Sequence, residues 1–306
     1  MGQGAGYGKT ILFNEHFVVY NVPSIVSAID KTTIAHVQKM EGSGWVLDDS
    51  RLATPAYKEE KLEQQKDSIS RVLKAAGVDI ANQEIKIALG GDLVAVSGIG
   101  ASAASCVAIS RALSDELGLD FSDEKINEIA YAGERAYHGN PSGVDNTAAT
   151  YGGLLWFVRG KPIERVPITH PVEIVIGNTG LVTNTKAAVA GVRERKQEHP
   201  EKYEKMFKEA EELAYNAKKA LTDYDLNVVG NLMDRNHGLL KAIEVSCEEL
   251  DSMVDLSREN GALGAKMTGG GLGGNMVALT PGKDLQDKVA RAIKEEGFEA
   301  LKTRIG

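Results

Sequence analysis

Apolar positions in the first part of the chain come in strand-like runs. Residues 9–20 (KTILFNEHFVVY) join a β-type run to Lys9, Glu15 and His16, charges that a plain strand would not need, and residues 21–37 continue in Val- and Ile-rich sequence. Residues 41–55 turn polar and predict a loop. Lys58 to Ala76 has the spacing of a charged amphipathic helix that stops at Gly77. Glu84 to Leu89 alternates as a half-buried strand does, Gly90-Gly91-Asp92 bends it, and small helix formers run from Ala103 to Leu113. Asp123 to Tyr137 is helical in pattern with Ser122 as its cap, a short helical turn covers Asn146 to Thr150, and Leu154 to Val158 is strand-like.

The polar, Pro-containing link at 160–171 predicts a boundary between domains 1–165 and 166–306. Val172 to Gly177 opens the second domain as a strand, a polar turn follows, a helix starts near Lys186, and charged helices fill 201–222, about 225–245 and 247–260. Gly269 to Gly274 holds five glycines in six residues. Ordering each costs about 1 kcal/mol relative to Ala, so the stretch needs close backbone approach or positive φ angles. It fits Gly-x-Gly-x-x-Gly, but with no clear strand before it and no helix after it the dinucleotide reading is weak.

Composition narrows the class. A chain of 306 residues, 42% hydrophobic, can bury the core of one large or two ordinary domains. A net charge of −8 argues against nucleic-acid or anionic-membrane partners, and Cys106 and Cys247 have neither disulfide-framework nor zinc-ligand spacing. With no run of about 18 apolar residues and no signal-peptide pattern, a reducing, cytoplasmic setting is expected.

The stretch Ser97-Gly98-Ile99-Gly100-Ala101-Ser102-Ala103-Ala104-Ser105 carries the first candidate chemistry. Two glycines let backbone approach an anion, and the helix behind them offers free N–H groups and a positive dipole end. Close helix packing is the plainer alternative. Neither glycine loop ends in the Gly-Lys-Ser/Thr of a Walker A loop. The turn Gly139-Asn140-Pro141-Ser142-Gly143 delivers Asp145, whose plainer reading is a helix cap, as that of Lys9 is a solvated charge.

Together these stretches resemble the GHMP kinases, in three motifs: Gly8-Lys9-Thr10-Ile11-Leu12-Phe13-Asn14-Glu15-His16, Gly98 to Ala104, and Thr268 to Gly274. Gly133-Glu134-Arg135, His138 to Asn146, Tyr151-Gly152-Gly153, Asn178-Thr179 and Thr185 to Arg193 are similar to the mevalonate kinase branch. The resemblance implies an α/β (α+β two-layer) GHMP kinase fold, with a ribosomal S5-like N-terminal domain and a ferredoxin-like C-terminal domain. It implies ATP- and Mg²⁺-dependent phosphorylation of the primary hydroxyl of mevalonate, and a homodimer. By position, Asp145 and Lys9 are the catalytic pair; Ser102 and Glu134 are Mg²⁺ ligands; Val96, Ser97, Gly98, Ile99, Gly100, Ala101, Ser102, Thr268, Gly269, Gly270 and Gly271 bind ATP; Glu15, His16, Asp145 and Thr185 bind substrate. Tyr7, Asn14, Ala101 and Leu272 depart from the usual Pro, Gly, Ser and Gly. The alternatives are a GHMP kinase for phosphomevalonate, another hydroxy acid or a sugar, and a non-catalytic ligand sensor on the same fold.

Overall fold

The computed structural model describes residues 1–53, 57–95, 98–181 and 185–306. They form two compact units, one made of Met1–Lys9 with Ala28–Gly152, the other of Thr10–Ser27 with Gly153–Gly306. The chain crosses between them at 9/10, 27/28 and 152/153, the last ahead of the expected boundary at 165/166.

In the first unit, β1 (Gly2–Phe13) lies beside β2 (Ser24–Met40), followed by β3 (Gly44–Asp49), α1 (Tyr57–Ala75), β4 (Glu84–Gly91), α2 (Ala101–Leu117), α3 (Asp123–His138) and α4 (Val144–Tyr151). Strand β4 runs antiparallel to β2 and parallel to β3. The helices cover this sheet through Val72, Leu73, Ile85, Ile87, Val107, Leu113 and Ile129. β1 begins well before the expected strand at residue 9, and the reason is its glycines. A Cβ on Gly2, Gly4 or Gly6 would lie 2.2–2.3 Å from the carbonyl oxygens of Ala112, Ala108 and Ala104. Glycine at every second strand position therefore faces alanine at every fourth helix position, and β1 rests directly on α2. β3 corrects the loop expected at 41–55; its Trp45 and Leu47 pack on the core.

In the second unit, β5 (Leu154–Phe157) pairs with Ser24–Ser27 of β2 and with β6 (Glu164–Arg165). There follow β7 (Val172–Asn178), α5 (Thr185–Glu198), α6 (Pro200–Thr222), α7 (Leu226–Ala242), α8 (Glu248–Glu259), β8 (Gly264–Thr268), β9 (Asn275–Leu279), α9 (Lys283–Glu295) and β10 (Glu299–Ile305). The sheet order β10-β7-β9-β8 is antiparallel throughout. β8 supplies the strand before the second glycine stretch that the sequence did not reveal. All five of its residues are buried, so no alternation marks it. No described helix is long and apolar enough to cross a membrane.

Candidate active site

The first unit holds the expected catalytic pair, the expected metal ligands and the first glycine loop. Lys9, 3% exposed near the middle of β1, places Nζ 3.1 Å from Asp145 Oδ1. Its backbone N–H donates to Ile99 O at 2.9 Å and so fastens the glycine loop to β1. Gly100, at φ 75°, caps α2, and a Cβ there would lie 2.8 Å from Lys9 Cγ. Only glycine allows the loop, the lysine and the helix start to meet. Ala101 is buried and Ser102 half-buried in the first turn of α2; Val96 and Ser97 lie outside the described residues.

Asp145 stands in the first turn of α4, where the helix dipole favours its charge. Its neighbour Asn146 turns away and donates from Nδ2 to Asn127 Oδ1 of α3 at 2.6 Å. Glu134 comes from the last turns of α3 and is fully buried, with neither carboxylate oxygen in a hydrogen bond. Burial, and next the charge of Asp145, push its carboxyl up to about 8, while Ser102 and Lys9 favour the ionised form. His138 Nε2 lies 3.6 Å from Glu134 Oε2, but burial holds that imidazole below its ordinary value despite Asp145.

The second unit gathers another set around the residues after β1. Asn14 (φ 70°) and His16 (φ 62°) are left-handed and hold Glu15 between them. Asparagine tolerates this conformation, which accounts for its standing where the family usually has glycine. Its side chain adds bonds that glycine could not make. Nδ2 donates to Pro23 O and Ala210 O at 2.8 Å each, while Asn236 accepts from Asn14 N–H at 3.1 Å and donates back to Asn14 Oδ1 at 2.9 Å. Glu15 Oε1 meets Lys266 Nζ of β8 at 2.5 Å, with both side chains buried, and Lys266 also donates to Met267 O. His16 Nε2 is 3.1 Å from Gly270 O. Burial, opposed by that carbonyl and reinforced by Lys266, lowers His16 to about 4, so the neutral ring donates from Nε2.

Thr268 was expected at ATP. Its hydroxyl donates to Ile11 O at 3.0 Å, accepts from Ile11 N–H at 3.1 Å and lies 3.3 Å from Thr10 Oγ1, so in this structure it ties β8 to β1. The glycines after it turn through left-handed backbone at Gly269, Gly271 and Leu272 and are propped by Leu272 N–H on Val245 O at 2.8 Å. Thr185 stands exposed at the first position of α5. Lys266 and Asn236 are the residues that sequence reasoning passed over; a lysine inside an unmarked strand and an asparagine inside a helix carried no signal.

Two family models match the chain, GHMP kinases N terminal domain over residues 65–153 and GHMP kinases C terminal over 217–299, and they define its class as a GHMP-type kinase. Mevalonate kinases from Pyrococcus horikoshii and Thermococcus sibiricus are 35% and 34% identical to it, over 97% of this chain and 93% and 94% of theirs. The crystal structure of L. major mevalonate kinase in complex with R-mevalonate superposes with a TM-score of 0.95 at 38% identity, covering 100% of this chain and 96% of that one. The chain belongs to the mevalonate kinase family.

Proposed function

We propose that this chain transfers the γ-phosphoryl group of ATP to the primary hydroxyl of mevalonate, giving 5-phosphomevalonate and ADP, a step of isoprenoid precursor synthesis. The observation that carries the chemistry is the ion pair of buried Lys9 with the partly exposed Asp145, beside the buried Glu134 carboxyl, which has no close hydrogen bond. Mevalonate as acceptor rests on the family and on the mevalonate-bound relative. The hydroxyl oxygen forms a bond to the γ-phosphorus as the bond to the oxygen bridging toward the β-phosphate breaks. ADP keeps that electron pair, and the hydroxyl proton passes to Asp145. Lys9, its Nζ 3.1 Å from Asp145 Oδ1, holds that carboxylate in place and offsets charge on the attacking oxygen. Positioning and charge neutralisation are what such a transfer chiefly requires.

Mg²⁺ fits the residues present. Glu134 offers two buried oxygens with no close hydrogen bond, and the Ser102 hydroxyl stands near enough to favour the ionised form. No cluster of three or more His, Cys, Asp or Glu exists among the described residues. A hard dication that takes one or two protein oxygens and fills its shell with phosphate and water suits that set. When bound, it neutralises charge on the triphosphate. We assign Gly98, Ile99, Gly100, Ala101, Thr268, Gly269, Gly270 and Gly271 to ATP, and Glu15, His16 and Thr185 with Asp145 to the substrate. With both cysteines free, a reducing cytoplasmic setting belongs to the same reading.

A coupled ADP-release assay against mevalonate, phosphomevalonate, homoserine and galactose tests the reading. Turnover with mevalonate alone is expected, and its absence would overturn the assignment. Asp145→Asn is expected to lower kcat by about 10³-fold while calorimetry still detects ATP binding.

A further inference from the structure

A buried arginine outside the reacting set braces the helix that carries Ser102. Arg51, just past β3, is 7% exposed. Its guanidinium forks onto Asp49, Nη2 to Oδ2 at 2.6 Å and Nε to Oδ1 at 2.9 Å, a bidentate geometry that lysine cannot reproduce. The remaining arm, Nη1, donates to Ser105 Oγ at 2.5 Å, and Ser105 Oγ donates onward to Ala101 O at 2.8 Å. Nη1 itself reaches Ala101 O at 3.5 Å. Asp49 is fixed in turn: its carboxylate accepts from Gln65 Nε2 at 2.8 Å and its carbonyl from Lys58 Nζ at 2.7 Å. Burial works against charge on Asp49, but the hydrogen bonds and charge of Arg51 outweigh it and hold the carboxyl at about 2.

A serine bonded to the carbonyl four residues back is common in helices and by itself signifies little. Here Arg51 occupies the other side of the same hydroxyl. The result is a relay from β3 to the carbonyl of the first helical residue, one position before Ser102. A buried ion pair adds little net stability over packed apolar side chains, so fixed geometry is what this arrangement supplies.

We propose that Arg51, locked by Asp49, is a positioning residue for phosphoryl transfer: through Ser105 it fixes the first turn of α2, and with it Ser102, in the orientation that receives Mg·ATP. This rests on the Mg²⁺-binding role proposed for Ser102 above. Calorimetric titration of Mg·ATP, together with separate KM values for ATP and mevalonate, tests it in Arg51→Met, Arg51→Lys, Ser105→Ala and the Arg51→Met/Ser105→Ala pair. Ser105→Ala is expected to weaken Mg·ATP by about tenfold with KM for mevalonate unchanged, the loss expected when one hydrogen bond to a charged group is removed. Arg51→Met is expected to weaken it further, and Arg51→Lys to rescue little. The double variant is expected to be no worse than Arg51→Met, because both changes cut one relay. Ser105→Ala deletes a single hydroxyl and keeps the proposal testable should Arg51→Met fail to fold. Mg·ATP affinity within twofold of wild type in Ser105→Ala, equal loss for both substrates, or additive effects in the double variant would each overturn the proposal. Failure of the wild type to phosphorylate mevalonate would strike the function instead, since the calorimetric comparison reads the brace without turnover.

Discussion

Glu15 and Glu134 are equally hidden from water, at 1% and 0% exposure, yet the chain treats them in opposite ways. Glu15 is answered from within by Lys266, in a loop that Asn14 and Asn236 hold in a left-handed shape. Glu134 is surrounded by α-helical packing and receives no hydrogen bond at either oxygen. Without a close hydrogen bond the buried carboxyl is pushed up to about 8, chiefly by burial, so its charged form is the costly one and a cation would favour it. The first acid is satisfied within the fold by a lysine at hydrogen-bond distance; the second has no comparably close partner, which is what supports the metal role proposed for it.

The contrast breaks most visibly at Lys266. Lys266→Met leaves Glu15 buried beside a methyl group, and breaking a buried pair from one side costs about 3–5 kcal/mol, to be read by urea denaturation at neutral pH. Unchanged stability would mean that Glu15 does not depend on this lysine.

His16 sharpens the comparison through pH. Its folded value, lowered to about 4 from an ordinary 6.5, means that the unfolded chain takes up a proton between those values that the folded chain refuses. Stability from this group is complete above pH 6.5 and lost as pH falls toward 4, about 3 kcal/mol in all. His16→Gln, which can still donate to Gly270 O, should shrink the acid-induced loss by roughly that amount. Some loss will persist through His237, also lowered to about 4, mainly by burial. A variant whose pH profile matches wild type would contradict the assigned neutral ring. A smaller effect is expected at Asn236→Ala, which strips Asn14 of a donor and an acceptor at a cost of about 1–3 kcal/mol.

How far the sequence could be read follows from the same physics. Lys9, Ser102, Glu134 and Asp145 were legible because glycine-bearing and turn-forming motifs surround them, and the structure brings all four together in one unit. Asn14 was legible only as a departure; that its amide replaces the freedom of glycine with hydrogen bonds appears in three dimensions alone. Lys266 and Arg51 were not legible, since a buried cation in a strand and one after a strand look in sequence like solvated charges. β1 extends ahead of residue 9 because the glycines at 2, 4 and 6, which carry no apolar pattern, record the close approach of α2. β3 was hidden by its aspartates and β8 by burial on both faces.

The central proposal is that Glu134, buried with no close hydrogen bond, binds Mg²⁺, and thermal denaturation of Glu134→Gln with and without Mg·ATP tests it most directly. Without ligand, the variant should melt no lower than wild type, in contrast to Lys266→Met. Wild type should gain about 2.7 kcal/mol when Mg·ATP is present at 100 times its Kd, and Glu134→Gln at the same concentration should lose most of that gain, while ATP with EDTA shifts both proteins equally. A Glu134→Gln protein that keeps the full Mg²⁺-dependent gain, or that collapses without ligand as Lys266→Met does, would contradict the account.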